Sequence, residues 1–530
     1  MTVIAEKAGS AAASTDVDGM YQVLADLERP CYVVRTGSGI GLTGHRPADD
    51  DAVVAAVGPL PPERLGSSEF RARHGVRLAY MGGAMAGGIA SVDQVVALAR
   101  AGCLGSFGAA GLLPERVEDA VGRIAGAIPE LPFAVNLIHS PSEERLERSA
   151  VELFLRRGVR CVEASAFMNL TRHVVRYRLA GLRQSMDGAV VARNRLVAKV
   201  SRSEVADVFL RPAPPGLVAD LLAAGDIDAE QAALAPRVPM ADDITVEADS
   251  GGHTDRRPLP ALFPAILRHR DTVHQELGLP HQVRLGAGGG IGTPAAVAAA
   301  FAMGADYVVT GSVNQACLEA GTSPEVKELL AGAGIADCEM APAADMFELG
   351  VELQVLRKGT LFAMRAKRLH QLYRTYDGIE ALPPAELQRL EQQILGRPVD
   401  QIWSEVVGYF TRRDPAQLER AAQDPKRRMA LIFRWYLGMA SRWSSTGERS
   451  RVADYQIWCG PAMGSFNEWA NGSYLAAPTN RRVGDVAVQL MRGAAFESRV
   501  HQLRLNGVRL PAGCTTYRPQ PPAADRQVTT

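Results

Sequence analysis

The sequence has no excess of charge of either sign: 58 basic residues balance 58 acidic ones. Chains that bind nucleic acid or lie on a membrane surface normally carry a basic surplus, so the balance argues against nucleic-acid and membrane partners. Cysteine never occurs in a paired pattern. Seven cysteines (Cys31, Cys103, Cys161, Cys317, Cys338, Cys459, Cys514) are scattered, with no C-x-x-C, which argues against a cysteine zinc site and reads most simply as a reducing cytoplasm. No apolar run is long. The most apolar late stretch, MALIFRWYLGMA, is short and interrupted by Arg434, so it reads as a buried helix and not as a membrane span. The stretch MTVIAEKAGSAAASTD has no basic segment leading into an apolar core, so no secretion signal is expected. A helical H-E-x-x-H zinc motif and a fixed short repeat are also missing.

What is present is ordinary globular composition, 47% hydrophobic and 22% charged over 530 residues. At roughly 150 residues per domain this allows two to four units, or one (β/α)8 barrel of about 250 residues with additions. Residues 1–70 have little periodicity and contain the turn-rich GPLPPERLGSS, which reads as an N-terminal appendage. From 76 onward short apolar runs alternate with Ala/Leu-rich stretches of helical spacing. The runs are VRLAYM, CLGSF, PFAVNLI, CVEASA, RLVAKV, DITVEA, QVRLGA and ADYVVT. Between them lie candidate helices such as SVDQVVALARAG and TPAAVAAAFAMG, opened by Ser, Thr or Pro and often closed by Gly. Eight strands with crossovers predict an α/β fold, a closed (β/α)8 TIM barrel over 71–340. A helical insert is expected at about 201–242, a mainly helical region covering one barrel mouth at 341–510, and a disordered tail at 511–530.

In such a barrel the working residues follow the strands. MGGAMAGG follows the first, GAGGGIGT the seventh and TGSVNQ the eighth. Glycines there let backbone N–H groups reach a ligand, and the last two loops of a barrel are the recurrent phosphate site. The candidates for holding a phosphate are Gly288, Gly289, Gly290, Gly311 and Ser312; the alternative is that these glycines only make tight βα turns. Gly39-Ile40-Gly41-Leu42-Thr43-Gly44 also matches G-x-G-x-x-G, but an acidic turn follows it where the dinucleotide motif needs a helix, so that match is set aside. Asn136 ends the third strand and can bond a heterocycle edge or cap the next helix. Lys199 lies in an apolar run, which points to an anionic or electron-rich ligand. Glu163 reads better as one half of a structural salt bridge.

EADSGGHTD, Glu247 to Asp255, ends the sixth strand. Read as a metal cluster it lacks a nearby second histidine. Read as a turn at the barrel mouth, Gly251 and Gly252 admit a planar ligand and His253 can exchange a proton with whatever sits there, while Asp249 and Asp255 orient the loop.

The order MGGAMAGG, VNLI, AKV, EADSGGH, GAGGGIGT, TGS resembles the flavin-dependent barrels of the nitronate monooxygenases and FMN-type enoyl-acyl carrier protein reductases. EASAFMNLTRHVVRYR, WCGPAMGSFNEWANGSYL and NRRVGDVAVQLMRGAA narrow the resemblance to PfaD-type trans-acting enoyl reductases of polyunsaturated fatty acid and trans-acyltransferase polyketide synthases, over roughly residues 70–500. The resemblance implies non-covalent FMN, reduced by NADPH, and hydride delivery to a 2-enoyl thioester on an acyl carrier protein or polyketide synthase carrier domain; it also implies a homodimer. Carried over, Gly82, Gly83, Ala84, Asn136, Lys199, Gly251 and Gly252 would line the flavin, with the five phosphate-loop residues above holding its phosphate. His253 would be the acid/base or substrate-orienting residue. Ser250 departs from the simpler E-A-G-G-H pattern. The alternatives are a flavin oxidase of small nitronates, with the same fold and cofactor, and a catalytically idle scaffold.

Overall fold

The structure, a computed structural model, describes residues 13–37, 39–48, 52–139 and 144–522. The eight apolar runs are eight parallel strands: β1 (Tyr80–Gly82), β2 (Leu104–Phe107), β3 (Ala134–Ile138), β4 (Cys161–Ser165), β5 (Arg195–Val200), β6 (Asp243–Glu247), β7 (Arg284–Gly288) and β8 (Tyr307–Thr310). Each pairs with the next, and β8 pairs with β1 to close the barrel. Helices fill the crossovers, among them Val92–Arg100, Pro114–Ala127, Leu259–Leu277 and Pro294–Ala302.

Successive side chains on a strand alternate between the lumen and the helices. Ala79, Met81, Leu104, Ala134, Cys161, Val197, Tyr307 and Val309 form one buried apolar cluster, with Phe70 stacked on Tyr307 at 4.2 Å. Two residues further along the strands the same parity brings Ser106, Asn136, Glu163 and Lys199. The lumen is therefore apolar below and polar toward the strands' C-terminal ends. At the opposite end, fully buried Asp243 accepts from Arg284 Nε at 2.7 Å and lies 2.7 Å from His74 Nε2. Asp242 beside it binds Arg73 and Arg178. In a TIM barrel this end carries stability rather than chemistry.

The chain divides into two compact units whose borders differ from those expected at 70, 340 and 510. The first comprises Met1–Ala248, Arg257–Ala320 and Trp469–Thr530; the second Asp249–Arg256 and Gly321–Glu468. The N-terminal segment is a three-stranded antiparallel sheet, Gly39–Thr43, Cys31–Thr36 and Val53–Val57. The G-x-G-x-x-G stretch is one edge of that sheet. Fully buried Arg499, on the helix Val483–Leu505, donates to the carbonyls of Val23, Leu24, Asp26, Leu27, Arg29 and Gly58. This explains why the sequence's beginning and end join the barrel unit: one guanidinium satisfies carbonyls across the N-terminal segment. Residues 511–522, expected to be disordered, contain the turn Ala512–Cys514 and buried Tyr517, whose hydroxyl donates to Gln489 Oε1 at 2.8 Å; the rest of the expected tail, 523–530, lies outside the described residues.

Over the expected insert run the helices Ser203–Leu210, Pro215–Ala223 and Ala229–Leu234. The second unit is mainly helical, with Phe362–Thr375, Val399–Arg413 and Pro425–Thr446, but it opens with a hairpin, Cys338–Pro342 paired to Glu352–Leu356. Gly252 bridges to Gln354 and Trp458 to Val355. The hairpin thus gathers the short segment after β6 and the WCGPAMG stretch into one unit. No helix among the described residues is long and apolar enough to cross a membrane.

Candidate active site

The polar layer of the barrel is built from single inward positions of neighbouring strands. Asn136 and Glu163 are register partners, as are Lys199 and Thr245. Asn136 Nδ2 donates to the Glu163 carbonyl at 3.0 Å and to Ser165 Oγ at 2.8 Å. With its amide protons committed, the side chain offers its carbonyl oxygen to a ligand. Lys199 Nζ is 3.2 Å from Glu247 Oε1. Burial would lower the lysine pKa, but the carboxylates of Glu247 and Glu163 outweigh it and hold the ammonium above its ordinary range.

Glu163 departs from the salt bridge expected of it. Its Oε2 accepts from the backbone N–H of Ala84 at 2.8 Å, while Oε1 is buried and has no hydrogen-bond partner among the described residues. Ser106 Oγ on β2 is buried and unpartnered in the same way. Both were visible in the sequence as lone polar residues inside apolar runs, CLGSF and CVEASA, and the lumen parity is what gives them a direction.

The glycine loops differ among themselves. Gly289 and Gly290 have φ of +83° and +73°, a left-handed conformation that suits glycine. A methyl group on Gly290 or Gly311 would meet no atom within 4 Å, so the backbone there is bare. Ser312 opens the short helix Ser312–Gln315, and Asn314 braces the turn by hydrogen bonds with Thr310 Oγ1 and the Thr310 carbonyl. By contrast, a methyl on Gly82 would lie 2.3 Å from Leu98 Cδ1, and one on Gly83 3.0 Å from Val309 Cγ1. Gly82 is therefore small to let the helix Val92–Arg100 approach the barrel.

Within the second unit, the segment 249–256 is held by three contacts. Gly252 exchanges backbone bonds with Gln354 at 2.9 and 2.7 Å, Gln354 Nε2 donates to Asp249 Oδ1 at 2.9 Å and to the Ser250 carbonyl at 2.8 Å, and the Gly251 backbone packs on Cys459. A methyl on Gly251 would sit 2.8 Å from Cys459 N. Gly251 thus has a packing reason within its own unit. His253 is half exposed, with Nε2 3.3 Å from Asp345 Oδ1. Burial would raise the Asp345 pKa, but the hydrogen bond and charge of His253 outweigh it and hold the carboxyl below its ordinary value. Asp249 does orient the loop, through Gln354. The carboxylate on the histidine is Asp345, which nothing in the local sequence announced. Among the described residues no three His, Cys, Asp or Glu side chains converge as metal ligands.

Residues 79–368 match the family model described as nitronate monooxygenase, and residues 8–54 that of the PfaD N-terminal domain of fatty acid synthases. The enoyl reductase domain of MlnA from the macrolactin cluster of Bacillus amyloliquefaciens superposes with a TM-score of 0.80 at 36% identity, covering 84% of this chain and 100% of that one. The chain belongs to the nitronate monooxygenase family, in its PfaD-type branch. PfaD-type relatives include a polyunsaturated fatty acid synthase component of Thraustochytrium sp., 47% identical over 94% of this chain, and the polyketide biosynthesis protein PksE of Bacillus subtilis, 43% identical over 82%. The chain spans 34% of the length of the first and 57% of the second. Residues 376–455 match the inserted helical domain of an [acyl-carrier-protein] S-malonyltransferase, a match that falls within the helical second unit.

Proposed function

We propose that the protein is an FMN-dependent, NAD(P)H-oxidising enoyl reductase that saturates the α,β double bond of 2-enoyl thioesters carried on an acyl carrier protein or polyketide synthase carrier domain. The observation that carries this reading is the polar end of the barrel lumen, where bare glycine backbone after β7 and β8 accompanies two buried, unpartnered polar atoms. Bare left-handed backbone suits a phosphate, and unpartnered buried acceptors suit a polar ring, so the residues present fit FMN. Gly288, Gly289, Gly290, Gly311 and Ser312 would hold its phosphate; Gly83, Ala84, Asn136 and Lys199 would line its ring. When bound, FMN supplies hydride chemistry between a nicotinamide and an activated double bond.

The chain's own contribution is charge placement and a proton. Hydride addition at the β-carbon of a thioester leaves negative charge on the thioester oxygen, which a fixed donor stabilises. His253 is that donor and the acid for the α-carbon. Asp345 takes the Nε2 proton of the imidazole, which leaves the proton on Nδ1 of the imidazolium for transfer. Similarity to synthase components and to an enoyl reductase domain supports the carrier-bound substrate. A homodimer belongs to the same reading and is tested by sedimentation.

The test is the visible spectrum of the purified protein followed by anaerobic NADPH oxidation with a crotonyl thioester on a carrier protein. A yellow protein that forms butyryl thioester supports the proposal, and a colourless chain that takes up no FMN overturns it. The nitronate monooxygenase match over residues 79–368 favours a second reading, oxidation of small nitronates by oxygen. Oxygen-dependent nitronate turnover without saturated thioester would select it.

A further inference from the structure

We infer that Glu163, with Ser106, is a cofactor-ring contact that fixes the polar edge of the heterocycle and tunes its redox potential. The inference rests on the FMN reading above and assigns a ligand role to a residue whose sequence context pointed only to structure. Three observations carry it. Glu163 is 1% exposed, yet one of its two carboxylate oxygens has no hydrogen-bond partner among the described residues. Leaving a buried acceptor unsatisfied costs about 1–3 kcal/mol, more for a charged group, so such atoms in native proteins face a ligand or an ordered water.

The direction of that oxygen is known. Glu163 follows Cys161 by two residues on β4 and therefore shares its lumen side; Cys161 is part of the apolar lumen cluster. A methyl on Gly83 would lie 3.7 Å from Oε1, which places the oxygen beside the first glycine loop. Ser106, two residues beyond Leu104 of the same cluster, brings a second buried and unpartnered oxygen from β2. The other carboxylate oxygen is already bound to Ala84 N–H, which prevents Glu163 from swinging away.

The chemistry follows from what each group can do. A carboxylate only accepts, so Oε1 asks for a ring N–H, while the Ser106 hydroxyl can donate or accept. Lys199 feels Glu163 and Glu247 together, so this end of the lumen carries two carboxylates against one ammonium. Net negative charge disfavours the electron-rich reduced ring, and Glu163 therefore holds the potential down.

Glu163→Gln is the decisive variant, because Gln has one acceptor where Glu163 uses two: it can serve Ala84 N–H or the ring, not both. FMN titration of the apoprotein is expected to give about tenfold weaker binding, or about 1.4 kcal/mol, and the flavin midpoint potential is expected to rise. Ser106→Ala should weaken FMN by about threefold with an unchanged melting temperature. If Glu163→Gln binds FMN with wild-type Kd and potential, the carboxylate is satisfied by water and the inference is overturned, although the enoyl reductase reading stands. A variant that melts early but keeps the wild-type potential of its bound flavin overturns it equally. A wild-type chain that binds no FMN removes the reading itself and the inference with it.

Discussion

His253 and Asp345 form a pair, Nε2 to Oδ1 at 3.3 Å, inside the second unit. The histidine lies in the segment that follows β6, and the aspartate lies between the two strands of the hairpin Cys338–Pro342 and Glu352–Leu356. A carboxylate on one ring nitrogen selects the tautomer and stabilises the imidazolium, so the pair makes a better acid than a free surface histidine. Asp345 acts through His253 and is a positioning residue.

His253→Ala should lower enoyl reduction by about 10²–10⁴, the usual worth of a general acid, while the FMN spectrum and affinity stay as in the wild type. Asp345→Asn should lower turnover by about tenfold, mainly in kcat, because the ring keeps its place but loses its charge partner. Stopped-flow separation of NADPH-driven flavin reduction from thioester reduction checks both: only the second half should slow. Loss of FMN from His253→Ala would make the residue structural.

The barrel was legible because each of its strands is an apolar run of the right length, bounded by turn residues, and because strand-end glycines mark a barrel mouth. The residues that escaped are those whose meaning depends on distant partners. Asp345 is one of many surface acids until the hairpin presents it to His253. Glu163 looks like half of an ion pair in sequence, since only the lumen parity and the Ala84 bond reveal an oxygen left over. Gly251 and Gly82 read as ligand-clearing glycines, and the structure adds chain neighbours, Cys459 and Leu98, that occupy the space a side chain would need. The N-terminal sheet was missed because Arg499, the group that binds it to the barrel unit, lies at the other end of the chain.

The contact between Gly251 and Cys459 gives a second prediction. Gly251→Ala puts a methyl 2.8–3.1 Å from the N, C and Cα atoms of Cys459, and backbone cannot yield as a side-chain tip can. The variant should lose about 1–3 kcal/mol, with faster amide exchange at Gly252 and Gln354, whose mutual backbone bonds depend on that closeness. Mass-resolved hydrogen exchange reads it; unchanged protection of Gln354 would mean the loop shifts freely.

A third concerns acid. Burial would raise the Asp243 pKa, but His74 and Arg284 outweigh it and the carboxyl is held below its ordinary value. A carboxylate depressed on folding contributes stability that is fully present above the unfolded pKa of about 3.9 and is lost as pH falls through the folded value. Asp243→Asn should therefore cost about 3–5 kcal/mol at pH 7, as when one member of a buried pair is removed. The gap between variant and wild type should narrow below about pH 4. Urea unfolding at pH 7 and pH 3 tests this, and a gap that stays constant would assign the loss to packing alone.

Arg499 supplies the last. Burial lowers the pKa of its guanidinium, and the group is held by carbonyl dipoles, the shortest bonds running 2.6 Å to Arg29 and 2.7 Å to Asp26. Removing it strands carbonyls of the N-terminal segment away from water, whereas the barrel strands keep every ladder bond they have. Arg499→Met should therefore destabilise the N-terminal sheet before the barrel, by roughly 3–5 kcal/mol, the scale for uncompensated buried polar groups. Arg499→Lys should recover less than half, since three donors on a flexible stem cannot reach six carbonyls spread over two chain segments. Limited proteolysis should cut the methionine variant between residues 13 and 58 while the barrel remains intact. Simultaneous loss of both would mean that the sheet and barrel fold as one cooperative body.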